Sequence, residues 1–500
     1  MSARTPSVAI VGAGIAGLVA AIELAACGAR VRVFERAATA GGKMREVAVA
    51  GTAIDAGPTV FTMRWVFDEI FANAGANFAD EVPTTPLRLL ARHAWEDGGR
   101  LDLHADFGRS VAAIGDFAGA AEARRFAAFC ARARRIYTAL ERPYLRAPQG
   151  GVLALLRRGG LRRLPSLARI SPFATLWRAL GSHFHDPRLR QLFGRYATYC
   201  GSSPFAAPAT LMLIAHVEQD GVWSVDGGMQ RLADALVRVA RALGVAFCFD
   251  AHVGAITTAG GRASGIALSS GEHEAADAVI ANVDVAALAA GRLGCATSVP
   301  PHARAARSLS AITFARVART DGFPLVRHNV FFSNDYRAEF DALFDRRATP
   351  DAPTVYVCAQ DRGDDAGAPA TERLLCLVNA PATGDLREFG ATEIDECEAR
   401  MLARLARSGL RLTPDPSRDR TAVTTPADFE RMFPGTGGAL YGRATHGWRA
   451  SFQRPGARSR LPRLYLAGGS THPGPGVPMA ALSGRQAAQC AIADLASTRR

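Results

Sequence analysis

The chain has 500 residues, of which 48% are hydrophobic, and a formal net charge of +13 at pH 7. This length suits two domains, and the apolar fraction excludes an intrinsically disordered protein. A basic surplus fits nucleic acid, an anionic membrane face or simple solubility, but no nucleic-acid-binding motif is present, so we expect no nucleic-acid partner. The nine cysteines are scattered without a C-x-x-C pair, which argues against a disulfide framework and a zinc site. We therefore expect no metal.

The first 35 residues have the pattern of a strand, a glycine turn, a helix and a second strand. The turn has the spacing G-x-G-x-x-G, formed by Gly12, Gly14 and Gly17. The first glycine allows a tight turn, the second lets a pyrophosphate approach the backbone, and the third lets the helix pack on the strand. Glu35 ends the second strand, where an acidic side chain accepts hydrogen bonds from ribose hydroxyls. The sequence therefore predicts a dinucleotide site on an α/β, Rossmann-like fold.

Two further glycine turns follow this unit. The first contains Gly42, Lys43 and Met44, and the second contains Gly57, Pro58 and Thr59. A flavin site needs backbone and a cation beside the extended pyrophosphate, whereas a nicotinamide site has no special need for them. We expect both turns to contact the cofactor, although each alone also fits an ordinary loop. No second G-x-G-x-x-G occurs, so we predict no separate nicotinamide domain.

The region 112–215 is helical in character and rich in arginine. A helix over 122–141 places apolar side chains on one face and arginines mainly off it, which is typical of a helix packed on a core. A basic amphipathic surface on anionic lipid is the alternative interpretation. The segment Leu153 to Leu180 mixes apolar residues with arginines and contains no acidic residue, which favours contact with a membrane surface.

The C-terminal region repeats the strand, glycine loop and helix pattern. The residues that we expect at the cofactor are Gly469, Gly476, Val477, Pro478 and Met479. The amides at this helix start can face the edge of a flavin ring and favour negative charge there. His472 and Arg485 are the nearest ionisable groups, and we assign no proton transfer to them. No serine–histidine–acid set or carboxylate pair stands out. This absence is consistent with a flavin, which supplies the reactive group itself. The catalytic side chains stay unassigned.

This arrangement predicts a discontinuous cofactor domain. We expect it to comprise residues 1–75, 221–300 and 455–500. A mixed α+β substrate domain is expected over 76–220 and 301–454, with 112–215 as a helical subdomain that faces the membrane. The apolar start imitates a signal peptide, but the glycine spacing and Glu23 favour the strand–turn–helix unit. We expect neither a signal peptide nor a transmembrane helix, and a cytoplasmic protein peripheral to the inner face of the membrane.

The motifs in this order resemble the carotenoid desaturase branch of the flavin amine-oxidase superfamily. The match spans nearly the whole chain and includes Gly12–Gly17, Gly41–Met44, Asp55–Thr59, Gly221–Met229, Phe433–Gly438, Tyr441–Arg443 and Gly469–Met479. The resemblance implies FAD as the cofactor, and it adds Ala13, Arg36 and Val253 to the expected cofactor contacts. Asp226 stands where this family usually has a basic residue, which puts the detailed role of that loop in doubt.

The segment Thr62–Phe67 is similar to the hydroxyneurosporene desaturase (methoxyneurosporene dehydrogenase) subgroup of purple bacteria. This resemblance implies that the chain introduces a C3–C4 double bond into acyclic 1-hydroxy or 1-methoxy carotenoids. A hydride leaves C4, which is allylic to the polyene, for the flavin, and a proton leaves C3. Arg64 and Trp65 are the residues of this segment that we expect to face the substrate. The sequence does not choose between quinone and oxygen as the final electron acceptor.

Three alternatives stay open. A phytoene desaturase or a carotenoid isomerase shares the same motifs. A non-catalytic isoprenoid escort, such as the prenyl-Rab chaperones, shares the fold but loses parts of the flavin site, whereas both ends of that site are intact here. An amine oxidase is a weaker alternative, because such enzymes often hold flavin through a cysteine and none lies between Gly468 and Gly484.

Overall fold

The structure is a computed structural model that describes residues 5–148, 174–300, 307–363, 367, 369–414 and 421–497. Most of the basic segment between Leu153 and Leu180 lies outside these ranges. The membrane contact expected of that segment therefore stays a prediction.

The described strands belong to five sheets. In chain order they are β1 (Ser7–Val11), β2 (Arg30–Phe34), β3 (Glu46–Val49), β4 (Thr52–Asp55), β5 (Phe61–Thr62), β6 (Thr84–Pro86), β7 (Leu89–Ala94), β8 (Arg100–His104), β9 (Val222–Val225), β10 (Ala246–Cys248), β11 (Val253–Ala259), β12 (Arg262–Leu268), β13 (His273–Ala275), β14 (Ala278–Ala281), β15 (Ser310–Asp321), β16 (His328–Phe331), β17 (Val355–Ala359), β18 (Glu372–Ala380), β19 (Arg411–Pro414), β20 (Ala422–Thr424) and β21 (Leu464–Leu466).

The described α-helices flank these sheets. In chain order they are α1 (Ile15–Ala26), α2 (Trp65–Asn73), α3 (Phe78–Glu81), α4 (Phe107–Ala118), α5 (Ala120–Leu140), α6 (Leu176–His183), α7 (Pro187–Gly194), α8 (Leu213–Asp220), α9 (Gln230–Ala242), α10 (Val285–Ala289), α11 (Tyr336–Asp341), α12 (Ala391–Arg407), α13 (Pro426–Met432) and α14 (Val477–Ser497). Short 3-10 segments lie at Arg195–Cys200, Ala209–Met212, Ala296–Ser298 and Ala450–Phe452, and π-helical turns lie at Glu141–Leu145 and Ala342–Arg346.

A five-stranded parallel sheet confirms the predicted α/β fold. Its order is β10-β2-β1-β14-β21, and every neighbouring pair is parallel. Its strands come from the start, the middle and the end of the chain. The central strand β1 is apolar apart from its first residue and buried along its whole length, as expected for a parallel sheet covered on both faces. The exact domain boundaries stay a prediction.

The helices α1 and α14 pack closely beside this sheet. Gly484 allows the approach, because a Cβ atom at this position would lie 2.1 Å from the carbonyl oxygen of Ala16. Gly17 has the same role toward the first turn, since its Cβ would lie 2.1 Å from the carbonyl oxygen of Gly12. The first and last helices of the described chain therefore meet through glycine.

A second large sheet has the order β19-β15-β18-β17-β16-β7-β8, with β20 also paired to β15. Because side chains alternate along a strand, β17 and β18 present different residues to the two faces. Val355, Val357 and Cys376 belong to a core cluster that also contains Met401 and Leu405 of α12. Tyr356, Leu375 and Leu377 point the other way and line a large cavity.

The helix α5 buries its apolar face within the protein. Phe126, Phe129, Ala133 and Leu140 are buried in the main core, while Arg124 and Arg135 are among the exposed residues. Packing on the core therefore accounts for the apolar stripe of this helix. Across the described ranges, none of the helices combines the length and the apolar character that crossing a bilayer requires.

Candidate active site

One large cavity joins the parallel sheet to the second large sheet. Its volume is about 1070 Å³, which exceeds the roughly 300–1,000 Å³ of an ordinary small-molecule pocket. The glycine turns of both chain ends line one half of it, and side chains of α8, β17 and β18 line the other half. Ligands of open α/β sheets bind at the carboxyl ends of the strands, where these glycine turns lie. A cavity of this volume suits a ligand as large as a dinucleotide.

The first glycine turn presents backbone to the cavity at the start of α1. Gly12 adopts a φ of +95°, which an L side chain rarely adopts, and it lines the cavity together with Gly14. The carboxylate of Glu35 accepts a hydrogen bond from the backbone N–H of Ala13 at 2.7 Å and another from that of Ala37 at 2.9 Å. This carboxylate therefore fixes the turn while it lines the cavity.

The second glycine turn lies directly against the first. The N–H of Gly41 donates to the carbonyl of Ala13 at 2.9 Å. Lys43 points its ammonium group at the carbonyl of Leu440, 2.7 Å away, and over the ring of Phe433. Burial lowers the pKa of Lys43. The turn thus holds a cation at the cavity wall beside the dinucleotide turn.

The third turn is anchored by Asp55 at its start. Its carboxylate accepts the backbone N–H of Met229 at 2.9 Å, and its backbone exchanges two hydrogen bonds with the side chain of Gln360. Gly57 has no room for a side chain, because a Cβ would lie 2.0 Å from the carbonyl oxygen of Lys43. The backbone of Met229, which follows the Gly227–Gly228 pair, therefore binds this carboxylate.

A buried arginine binds the backbone of the C-terminal glycine loop, which begins at Gly468. Arg454 is 5% exposed. Its guanidinium donates to the carbonyls of Gly469 at 3.0 Å, Tyr441 at 3.2 Å and Arg443 at 2.8 Å. Burial lowers the pKa of Arg454. The backbone from Pro475 onward lines the cavity up to the first turn of α14.

Asn282 connects the glycine turns of the two chain ends. It follows β14, which lies between β1 and β21 in the parallel sheet. Its side-chain oxygen accepts the N–H of Gly17 at 3.0 Å, and its side-chain nitrogen donates to the carbonyl of Ala467 at 3.1 Å. The N-terminal and C-terminal turns are therefore linked through one amide.

Most residues predicted for the cofactor line this cavity. They are Gly12, Gly14, Glu35, Arg36, Gly42, Lys43, Met44, Gly57, Pro58, Thr59, Val253, Gly469, Gly476, Val477, Pro478 and Met479. Ala13 and Gly17 lie behind the wall, where their N–H groups bind Glu35 and Asn282.

Arg64 and Trp65 lie outside the lining of the cavity. Arg64 pairs with Asp68, and the ring of Trp65 stacks under the guanidinium of Arg146 at 3.9 Å. Their contact with substrate stays a prediction. Arg485 forms ion pairs with Glu23 and Glu69, so its contacts join helices rather than serve the cavity.

Sequence reasoning missed the polar groups in the other half of the cavity. Arg195, Tyr199, Glu218 and Tyr356 all line it among leucine, isoleucine and valine side chains. The hydroxyl of Tyr356 hydrogen-bonds the hydroxyl of Thr59 at 2.7 Å, which connects this half to the third glycine turn. No sequence motif marks these residues. Asn282 could have been found from the sequence, because it is a polar residue that directly follows a buried strand, at the carboxyl edge of the sheet.

The residues of the loop-lined half fit a flavin dinucleotide. Backbone N–H groups at the starts of α1 and α14, together with the cations of Lys43 and Arg454, suit a diphosphate. Glycines leave the wall free of side chains where a pyrophosphate has to approach. The wall then continues into the apolar half, so an aromatic ring system can extend from the same dinucleotide.

Comparisons with known proteins agree with this site. The family model "Flavin containing amine oxidoreductase" matches residues 15–492. A hydroxyneurosporene desaturase of Rubrivivax gelatinosus is 56% identical over 99% of this chain and 95% of its own length. A 1-hydroxycarotenoid 3,4-desaturase of Flavobacterium sp. is 30% identical over 95% of this chain and 97% of its own length.

A solved structure supports the fold. Putrescine oxidase with putrescine bound has a TM-score of 0.62 and 16% identity, over 98% of this chain and 99% of that chain. A flavin carried by a dinucleotide site is FAD. The chain therefore belongs to the flavin-containing amine oxidoreductase family, in its carotenoid desaturase branch, and is an oxidoreductase whose cofactor is FAD.

Proposed function

We propose that the protein is an FAD-dependent desaturase that introduces a C3–C4 double bond into acyclic carotenoids with a 1-hydroxy or 1-methoxy group. The observation that carries this proposal is the continuous cavity that runs from the dinucleotide turns into an apolar interior. The whole-length similarity to a hydroxyneurosporene desaturase and a 1-hydroxycarotenoid 3,4-desaturase supports the substrate and the position of the new bond.

The apolar half of the cavity suits a long hydrocarbon. Its wall includes Leu211, Ile214 and Val217 near α8, and Leu375 and Leu377 on β18. Burial of a polyene against such side chains is favourable by about 25 cal/mol per Å² of apolar surface. These residues bind and orient the chain, so that only one stretch of it lies beside the glycine turns.

The chain's own contribution to catalysis is position and exclusion of water. FAD, when bound, supplies the two-electron acceptor for the hydrogen that leaves the substrate. Gly57, Pro58 and Thr59 line the cavity, and Thr59 bonds the hydroxyl of Tyr356 in the other half at 2.7 Å, so we place the reacting carbons beside this turn. Holding a reactant in one orientation beside its acceptor accounts for a large part of rate acceleration.

Contact with an anionic membrane face, on the cytoplasmic side, is part of this proposal. The proposed substrate is a long, largely apolar carotenoid, and the outward side of α5 carries exposed arginines such as Arg124 and Arg135. Such cations attract anionic lipid surfaces. Co-sedimentation with anionic and with zwitterionic liposomes tests this, and we expect the anionic binding alone to weaken as salt rises. Equal binding to both kinds of liposome would contradict it.

The function is tested by anaerobic turnover of defined carotenoids in liposomes with quinone as the acceptor, beside a parallel assay with oxygen as the sole acceptor. The substrates are 1-hydroxyneurosporene, 1-methoxyneurosporene, neurosporene and phytoene. We expect a C3–C4 double bond in the two oxygenated substrates, identified by mass and absorption spectrum. Conversion of phytoene alone would make the protein a phytoene desaturase, and binding without conversion of any substrate would make it an escort.

A further inference from the structure

Among the described residues, an arginine in the apolar half of the cavity has no carboxylate partner. Arg195 opens the 3-10 segment after α7, and its side chain lines the cavity. Within the described residues its guanidinium forms no ion pair, and its one hydrogen bond goes to the hydroxyl of Tyr199 at 3.2 Å. Arginine stays charged in proteins and carries five N–H donors. Most of these donors are therefore available to a ligand in the cavity.

The charge is held in place by two aromatic rings. The guanidinium carbon lies 5.3 Å from the ring centroid of Tyr199 and 5.4 Å from that of Tyr356. Tyr199 also donates its hydroxyl to the carboxylate of Glu218 at 2.7 Å, and Tyr196 donates to the other oxygen at 2.6 Å. Glu218 lines the cavity as well. A donor group and an acceptor group thus face the same apolar space.

This polar group lies near the turn that we assign to the reacting carbons. The hydroxyl of Tyr356 bonds Thr59 at 2.7 Å and Nδ1 of the buried His328 at 2.8 Å. Burial lowers the pKa of His328 to about 3, so its ring is neutral and fixes the phenol without charge. The ring of Tyr356, which contacts the guanidinium of Arg195, is therefore hydrogen-bonded to the third glycine turn.

Covering a cation with an apolar ligand costs binding free energy, because the cation loses water and gains no hydrogen bond, unless the ligand offers it an acceptor. A plain acyclic carotene is a hydrocarbon and offers none, whereas a hydroxyl or ether oxygen accepts a hydrogen bond. In a 1-hydroxy carotenoid, C1 is separated from C4 only by C2 and C3, so an oxygen site must lie close to the reacting C3–C4 bond. The position of Arg195, one ring away from Thr59, meets this requirement.

We propose that Arg195 binds the oxygen on C1 of the substrate and thereby sets both the choice of substrate and the position of desaturation. This inference rests on the proposed function, and it names the group that selects oxygenated carotenoids. A methoxy oxygen can only accept, so it depends on Arg195 alone. A hydroxyl can also donate to the carboxylate of Glu218, which gives the 1-hydroxy substrate a second contact.

The test compares Arg195→Met and Arg195→Lys with the wild type. The dissociation constants of 1-hydroxyneurosporene, 1-methoxyneurosporene and neurosporene are measured through quenching of flavin fluorescence, beside kcat/KM for each. We expect Arg195→Met to weaken binding of the methoxy substrate at least about tenfold, the low end for a hydrogen bond to a charged donor. The hydroxy substrate should lose less, neurosporene should lose nothing, and Arg195→Lys should fall between.

Arg190→Met is the matched control. Arg190 lies on α7, stacks its guanidinium over the ring of Trp177 at 4.9 Å, and lies outside the cavity. It should leave the order of the three dissociation constants unchanged. Equal weakening of all three substrates by Arg195→Met, with FAD content retained, would show that Arg195 only supports the fold and would overturn the inference. A wild type that desaturates no oxygenated carotenoid would instead remove the proposed function.

Discussion

The two halves of the cavity are built in different ways. The loop half is lined by Gly12 and Gly14, by Gly41–Lys43 and Gly57–Thr59, and by residues of the Gly468–Met479 loop, so glycine backbone forms part of its wall. The sheet half consists of side chains from α8, β17, β18 and the segment that begins at Arg195. Substitutions at these glycines therefore change the backbone that forms the wall. Substitutions in the sheet half change the chemistry of the wall and leave its shape.

The largest effect is expected from a substitution that separates the first and last helices, because the glycine turns of the loop half lie at the starts of these two helices. In Gly484→Ala, the new Cβ would lie 2.1 Å from the carbonyl oxygen of Ala16 on α1, so the helices have to move apart. We expect a loss of about 3 kcal/mol in the free energy of unfolding, the upper part of the usual range for overpacking. FAD should be lost on purification, as measured by flavin absorbance per chain.

Gly390→Ala is the control, because a Cβ at this glycine meets nothing within 4 Å. It should leave urea unfolding and FAD content within experimental error of the wild type. Full FAD content in Gly484→Ala would show that the loop half does not need close packing of α1 on α14.

A buried acid behind the sheet half gives the next largest effect. Glu339 is 2% exposed, and its carboxylate accepts the N–H and the hydroxyl of Thr354, a residue of the cavity wall. Burial raises its pKa from 4.5 to about 7. The folded state therefore binds this proton more tightly than the unfolded state does. The stability that this proton contributes is complete below pH 4.5 and is lost as the pH rises through 7.

Glu339→Gln removes this titration and keeps an acceptor for Thr354. Relative to the variant, the wild type should lose up to about 3 kcal/mol of unfolding free energy between pH 4 and pH 8, because each tenfold difference in proton affinity between the folded and unfolded states corresponds to about 1.4 kcal/mol. Urea titrations of both proteins across this range measure it. A constant difference between the two proteins would mean that Glu339 has an ordinary pKa in the folded state.

A third prediction concerns the amide that joins the two glycine turns. Asn282→Ala leaves the N–H of Gly17 and the carbonyl of Ala467 without their side-chain partner. An unsatisfied buried group costs about 1–3 kcal/mol, so we expect a loss of about 2 kcal/mol in stability and weaker FAD binding. The dissociation constant of FAD, measured by calorimetry with the deflavinated protein, should rise at least about tenfold. Unchanged FAD affinity would show that each turn holds its shape alone.

The smallest effect is expected in the sheet half. Tyr356→Phe removes the hydrogen bonds to Thr59 and His328 and keeps the ring beneath Arg195. We expect a stability loss of about 1 kcal/mol and full FAD content. Loss of FAD from this variant would place the sheet half within the cofactor site and erase the distinction between the two halves.

The residues of the loop half could be predicted from the sequence, because each glycine turn is formed by residues that are neighbours in the chain. The spacing of Gly12, Gly14 and Gly17 specifies a turn whatever lies elsewhere in the chain. Arg454 and Asn282 could not be placed in this way, because each acts on backbone that only the folded protein brings near. The residues beside them in the sequence form no motif that predicts these contacts.

The residues of the sheet half could not be predicted from the sequence, because contacts between distant parts of the chain bring them together. Arg195 becomes a cavity residue only when Tyr356, far along the chain, packs against it. The segment that contains Arg64 and Trp65 was chosen by resemblance alone, and the structure places both residues outside the cavity wall. Motifs therefore identify where main chain binds a cofactor, and tertiary packing decides which side chains meet the substrate.

The most direct measurement mixes the purified holoprotein with 1-hydroxyneurosporene in liposomes without oxygen and without any other acceptor. If one cavity holds both FAD and the carotenoid, the yellow absorbance of the bound flavin should bleach in a single turnover. One equivalent of carotenoid with a new C3–C4 double bond should form per flavin. Persistent flavin absorbance with intact substrate, in a protein that binds both molecules, would contradict this account.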